Sequence, residues 1–251
     1  MSTATESSPY TPTWSGPGVM QAIVTLRKDS KLSQETLEKW FHEVYFPAVL
    51  KTGIAKTTTT WRAVDPNYER PLMFVSEVEN MELIQYGDQN HKVGGGLHNI
   101  PRKSELFPTD GPVDDFVDFE SRLLSQIESY GDSGTLAADE VDTMIYAAMQ
   151  PKPGGEKDLD DWYRTEHNAQ MSKEPGYQRT TRYSPLFQTR NIEGAKPTGL
   201  NFVAFHQFGI GNKIGTEVEP LDPITDWTKK SMGECTSIDA AIYRKVKTLT
   251  A

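Results

Sequence analysis

Apolar residues recur along this chain with two periods, near 2 and near 3.6, and stretches of the two alternate in a set order. Val19 to Leu26 is apolar and β-branched and predicts a strand. Leu37, Trp40, Phe41, Val44 and Tyr45 follow at i, i+3, i+4, i+7 and i+8, the stripe of a helix that covers a core. Ser33 is its expected N-cap, and Pro47 and Gly53 bracket its end. Strands are predicted over Lys56 to Val64 and Leu72 to Val78, with a turn at Asp65-Pro66-Asn67 between them. Asn80 to Pro108 holds a short helix and a Gly-rich loop. Val113 to Leu124 supplies a last strand, or a strand running into a helix. The order then repeats: strand Thr143 to Met149, helix Leu159 to about Ser172, strands Tyr177 to Tyr183 and Asn201 to Phe208, short helix Asp226 to Met232, strand Ile238 to Val246.

The two long helices carry one signature. Leu37, Trp40 and Phe41 keep the spacing of Leu159, Trp162 and Tyr163, and the Trp pair lies 122 residues apart (162 minus 40). Val44, Tyr45 and Phe46 become Glu166, His167 and Asn168. Covering a sheet does not demand that change, so chemistry is expected on the second helix. Each half reads as β-α-β-β-α-β, the ferredoxin-like plan, whose sheet carries helices on one face only. Two such repeats can bury their bare faces against each other, which predicts an α+β fold with a pseudo-symmetric barrel of two sheets. The expected division is a mobile Ser/Thr/Pro-rich tail over 1–17, a first repeat over 18–130 and a second over 131–251, with 132–139 as linker.

Composition narrows the function. The 251 residues are 36% hydrophobic and 10% aromatic, enough for a packed core. A net charge of −9 argues against nucleic acid or an anionic membrane as partner, because phosphate binding needs an excess of Lys and Arg. One cysteine, Cys235, excludes an internal disulfide framework and any Cys-based metal site. The N-terminal stretch has neither the basic start nor the apolar run of a signal peptide. No stretch approaches the ~18 apolar residues of a membrane span. A cytoplasmic protein is expected.

LDDWYRTEHNAQMSKEPGYQRTTRY resembles the helix-turn-strand signature of the EthD-like branch of the dimeric α+β barrel superfamily. The matching elements are Trp162-Tyr163, Glu166-His167, Pro175-Gly176 and Arg182-Tyr183. WFHEVYFPAVLKTGIAKTTTTWR is similar to the same signature worn down, with Tyr45 where the His would stand and Pro47, Gly53 and Trp61-Arg62 kept. FVAFHQF resembles the third strand of fungal-type tandem members. The resemblance implies a dimeric α+β barrel formed within one chain. It also implies a range of activities: cofactor-free monooxygenases, aromatic polyketide cyclases, decarboxylases, lactone isomerases and haem enzymes. Fold does not choose among these.

His167, four residues after Tyr163, is the first candidate general acid or base. Glu166 is expected to pair with Arg182 or Arg179 on the next strand. His206 is the second candidate. It shares a strand face with Phe202, Ala204 and Phe208, and aligning PLMFVSEV with NFVAFHQF sets it opposite Ser76 of the first half. Whether that face meets the barrel interior or the helices stays open. Tyr163 is the third catalytic candidate. Tyr146, Tyr183, Trp162, Asn168, Glu166 and Arg182 are candidate substrate contacts, although helical spacing turns Asn168 away from the Tyr163–His167 face. Tyr146 and Tyr183 read equally as core residues with a polar tip. His42, off the apolar stripe, is expected in solvent. His91 and His98 flank Gly94-Gly95-Gly96, but no third ligand stands at metal-binding spacing. The expected function is a cofactor-independent acid/base enzyme (cyclase, dehydratase, decarboxylase or isomerase) acting on a small aromatic or polyketide-like substrate in a barrel cavity. The alternatives are a non-catalytic binding protein and a haem or cofactor-free oxygenase. A homodimer is compatible with this reading but not required by it.

Overall fold

A computed structural model describes residues 10–85, 96–131, 140–191 and 199–251. The first half contributes strands β1 (Gly18–Leu26), β2 (Ala55–Ala63), β3 (Leu72–Val78) and β4 (Val117–Gly131). The second contributes β5 (Val141–Pro151), β6 (Tyr177–Arg190), β7 (Phe202–Gly209) and β8 (Cys235–Thr250). All eight close into one antiparallel barrel in the order β1-β3-β2-β8-β5-β7-β6-β4. Within each half the spatial order is the same: β4-β1-β3-β2 and β8-β5-β7-β6. Two seams join the halves. β2 pairs β8 from Thr57↔Thr250 to Ala63↔Tyr243, and β4 pairs β6 from Glu120↔Arg190 to Gly131↔Arg179. Three of the four seam strands, β4, β6 and β8, are 15, 14 and 16 residues long, longer than their hydrophobic patterns predict. Backbone pairing across the seams extends them past the point where side-chain burial stops marking them. A 3₁₀ turn at Val113–Asp115 precedes β4, so that strand begins four residues after its predicted start.

Alternation along the strands sends one set of side chains inward. Val19, Ile23, Trp61, Met73, Tyr146, Phe205 and Tyr243 pack there as one cluster. These buried side chains form the core of the barrel interior. The outward faces carry the helices. In the first half α1 (Gln34–Trp40) runs through a π-helical turn (Phe41–Tyr45) into α2 (Phe46–Lys51). The short α3 (Glu82–Gln85) follows β3. In the second half α4 (Glu156–Trp162) runs through a π turn (Tyr163–His167) into α5 (Asn168–Met171), and α6 (Asp226–Gly233) precedes β8. Ser33 caps α1 as expected, its side chain accepting from the Thr36 N–H.

The π turns correct the plain 3.6-residue reading of both helices. Phe46 N–H bonds Phe41 O, and Asn168 N–H bonds Tyr163 O, each a step of five. Residues five apart are thereby stacked on one face. Phe41 and Phe46 meet at 5.3 Å between ring centroids.

Tyr10 to Pro17, expected to be mobile, lies against the barrel. Tyr10 packs on Phe202, and Met81 N–H and Gln126 N–H bond Gly16 O and Pro17 O. The expected linker over 132–139 and His91 fall outside the described residues. Among the described residues no helix is long and apolar enough to cross a membrane.

Trp40 is fully buried against Phe41, Tyr45 and Phe107. Trp40→Ala is expected to cost about 3–5 kcal/mol, read as a lowered urea midpoint.

Candidate functional site

The outward face of β7 carries Phe202, Ala204 and His206. Phe202 and Ala204 pack with Leu159, Trp162 and Tyr163, while Val203 and Phe205 join the barrel interior. His206 therefore faces the helix, which answers the question the strand pattern left open. Tyr146 and Tyr183 belong to the interior cluster on the other side of the sheet. Tyr146 Oη accepts from Arg122 at 2.9 Å, and Tyr183 packs on Phe205 at 5.0 Å. Neither tyrosine is brought to the histidines, and both fill the core role that their polar-tipped rings also allow.

His167 and His206 do come together. Their rings lie 5.2 Å apart at 76°. Trp162 stacks on His167 at 4.3 Å, and Tyr163 meets it edge-on at 5.0 Å. Arg182 lies over the other part of the cluster, its Cζ 4.3 Å from the Tyr163 ring centroid. Asn168, expected to turn away, is fully buried, because the five-residue step sets it on the face of Tyr163. Among the described residues neither its Oδ1 nor its Nδ2 finds a partner, and His167 Nδ1 is likewise buried and unpaired. Leaving such groups unsatisfied costs roughly 1–3 kcal/mol each.

His206 is held by a residue that sequence reasoning missed. Thr180 Oγ1 lies 2.8 Å from His206 Nδ1. In the first half Thr58 Oγ1 bonds Ser76 Oγ at 2.9 Å, at the matching register of β2 and β3. Thr58 and Thr180 share the 122-residue offset of the Trp pair, so the repeat itself contained the signal. The same correspondence exposes a loss of bulk. Phe46 and Phe74, whose rings meet Phe41 at 5.3 and 4.1 Å, give way to Asn168 and Ala204.

Electrostatics keep both imidazoles neutral. Burial, reinforced by the Arg182 charge, lowers the His167 pKa to about 4. Burial first, then His167 and Arg182, holds His206 well below the usual value. Burial pushes the Tyr163 hydroxyl up to about 12, so it stays a phenol.

Arg182 does not pair with Glu166. It donates to Glu128 at 2.6 Å and to Asp160 at 2.8 Å, and Arg164 also donates to Asp160 at 2.8 Å. Arg179 bonds Gln207 at 2.5 Å and Glu77 at 3.3 Å. Glu166 instead accepts from Thr225 at 2.6 Å and Thr228 at 3.2 Å, at the start of α6, where the helix dipole favours a carboxylate. It is a clamp between helices. His42, expected in solvent, is half-buried with Nε2 2.8 Å from Thr60 Oγ1. His98 is exposed, and among the described residues no group of three or more His, Cys, Asp or Glu could hold a metal ion.

A second compartment lies between α1–α2 and the first-half sheet. It contains a cavity of about 380 Å³ walled by Phe41, Tyr45, Phe46, Phe74, Phe119 and Phe187. The half that lacks the histidine pair thus carries an open space.

No family model matches the chain, and no curated protein matches it. Solved structures do. An anthrone oxidase-like protein superposes with a TM-score of 0.53 at 11% identity, over 94% of each chain. A putative monooxygenase from Fusobacterium nucleatum superposes with a TM-score of 0.55 at 10% identity, over 95% of this chain and 96% of that one. At such identities the likeness is one of fold alone: an α+β architecture built on one closed antiparallel barrel of eight strands.

Two outcomes follow from the buried charges. Asp160→Asn strips a carboxylate from the buried Arg182 and is expected to cost about 3 kcal/mol by urea denaturation. Because the folded pKa values of His167 and His206 lie below the unfolded value, the unfolded chain binds more protons between about pH 6.5 and about pH 4. Stability from this source is complete above that window and is lost as pH falls through it. Melting temperatures across the window should fall less steeply for a His167→Phe/His206→Ser double variant. An unchanged slope would sink the assignment of neutral imidazoles.

Proposed function

We propose that the chain is an EthD-like tandem protein of two ferredoxin-like repeats, 18–130 and 131–251, whose second half is a cofactor-independent acid/base enzyme. The common strand order of the halves supports the repeat. One observation carries the function: two neutral imidazoles in contact beside a buried Asn168 whose amide has no partner among the described residues. A substrate carbonyl seated there meets the Asn168 amide as donor. An unpaired His167 nitrogen accepts a proton from the adjacent carbon, and Tyr163 and His206 are within reach as further proton carriers. Such a site performs enolisation, and so cyclisation, dehydration, decarboxylation or isomerisation, on a small aromatic or polyketide-like compound with acidic C–H bonds. Trp162 and Arg182 act here through position: Trp162 stacks on His167, and Arg182 adds its charge to the burial that keeps the imidazoles unprotonated. The site lies between helix and sheet rather than inside the barrel.

A ligand-holding, accessory role has one observation in its favour, the aromatic-walled cavity of the first half. A haem role predicts a Soret band from the purified protein.

Deuterium exchange at the activated methylene of an aryl β-diketone, followed by NMR, tests the acid/base reading. The protein is expected to accelerate exchange about 10²–10⁴-fold over buffer. His167→Phe puts an aromatic ring where the first half has Tyr45, and it should return the rate to that of buffer with the circular dichroism spectrum unchanged. Exchange that survives this substitution removes His167 from the mechanism.

A further inference from the structure

We propose that Thr180 and Tyr177 form a proton relay that joins the buried His206 to solvent. The relay rests on the acid/base reading of the histidine cluster for its purpose and on hydroxyl geometry for its path. Thr180 Oγ1 lies 2.8 Å from His206 Nδ1, and Tyr177 Oη lies 3.0 Å from Thr180 Oγ1. Tyr177 Oη is also 3.1 Å from Tyr130 O, a carbonyl that it can meet only as a donor. His206 and Thr180 are buried, whereas Tyr177 is only half-buried. The three side chains thus lead from the closed end of the site to the surface in steps of hydrogen-bond length.

A bulge puts Tyr177 in place. In a regular strand residues 177 and 180 would point to opposite faces. The register of β6 against β7 shifts between Tyr177 and Arg179 and reverses that parity. Tyr177 therefore packs with Phe208 on the outward face, where Thr180 meets His206. β2 carries the same bulge, between Ala55 and Thr57. Ala55 stands 122 residues before Tyr177 (177 minus 55) and has no hydroxyl. The first-half path ends, among the described residues, at the Thr58–Ser76 pair. The half that holds the histidine pair is the half that holds the outlet.

The hydroxyl chain has two polarities. With its hydrogens pointing inward, Tyr177 donates to Thr180 and Thr180 to His206 Nδ1, so Nε2 carries the ring proton. With its hydrogens pointing outward, His206 Nδ1–H donates to Thr180, Thr180 to Tyr177 and Tyr177 to Tyr130 O, so Nε2 is bare. From the outward state a substrate C–H proton passes to Nε2. The Nδ1 proton then passes to Thr180, the Thr180 proton to Tyr177 and the Tyr177 proton to water. As many bonds to hydrogen form as break. The substrate is left as an enolate, and the imidazole ends neutral with its proton on the other nitrogen. No imidazolium forms, which suits a pocket where burial above all opposes a charged ring.

The test needs no substrate. In the full-length protein, isotopically labelled at its histidine ring nitrogens, NMR reads how fast the His206 ring proton exchanges with water. A buried ring proton with no path to solvent exchanges only when the fold opens, at a rate that rises with urea. The relay predicts a rate that stays flat in sub-denaturing urea. Tyr177→Phe keeps the ring against Phe208 and removes the hydroxyl. It should slow the exchange about tenfold or more and make it urea-dependent. Thr180→Val should do the same, and Thr180→Ser, which restores the hydroxyl, should recover the wild-type rate. A purely structural role gives no such rescue. A wild-type rate that rises with urea would overturn the proposal, and so would a Tyr177→Phe rate equal to that of the wild type. The diketone reaction separates the two readings. If the protein leaves diketone exchange at the buffer rate while the ring proton behaves as stated, the acid/base reading falls and the relay stands. If diketone exchange is accelerated while Tyr177→Phe leaves the ring proton unchanged, the relay falls and the acid/base reading stands.

Discussion

Closure of the barrel is the constraint on which everything else rests. A four-stranded sheet from either half would leave two edges with unpaired N–H and C=O groups and one bare apolar face. Pairing β2 with β8 and β4 with β6 removes all four edges at once and turns both bare faces inward. The inward residues then fill the barrel, with Trp61, Tyr146, Phe205 and Tyr243 among them. On the outer faces each half packs its own helix and forms its own compartment.

The two compartments share a backbone and differ in contents. Both helices step through a π turn at the same place, and both third strands share a hydrogen bond with a Thr on the neighbouring strand. Onto that common frame the first half puts aromatic rings. The second puts two imidazoles, an amide and a buried Arg182 held between Asp160 and Glu128. The ion pairs matter beyond stability. Arg182 lies against the Tyr163 ring, and its charge adds to burial in lowering the pKa of His167 and of His206. One half offers space and the other offers buried polar groups.

Much of this is legible in the sequence. Strand and helix periods give the element order. The Leu-Trp-aromatic signature gives the duplicated pattern, and the alignment of Ser76 with His206 anticipates matching positions on β3 and β7. Other features leave no such mark. A π turn changes one hydrogen-bond step without a residue code of its own, so regular helical spacing turns Asn168 to the wrong face and leaves His42 in solvent. The face of β7 is ambiguous because both of its faces are apolar. Adjacency of elements in sequence matches Glu166 to Arg179 or Arg182 on the next strand. Its real partners, Thr225 and Thr228, arrive from about sixty residues away, and Arg182 is already taken by Asp160. The cavity is formed by side chains from both halves across a seam, and no local pattern encodes a space of that kind.

The β2–β8 seam also imposes an order of events on synthesis. Thr57 pairs with Thr250, 193 residues later (250 minus 57). As the ribosome releases the chain, β1 to β4 emerge first and can form their own four-stranded sheet, but β2 has no outer neighbour until β8 has been made. Contacts of such sequence separation close late and slowly. β4 can find β6 earlier, but until β8 arrives the β2 edge stays open, and in that interval it is most exposed to pairing with another nascent copy of the chain.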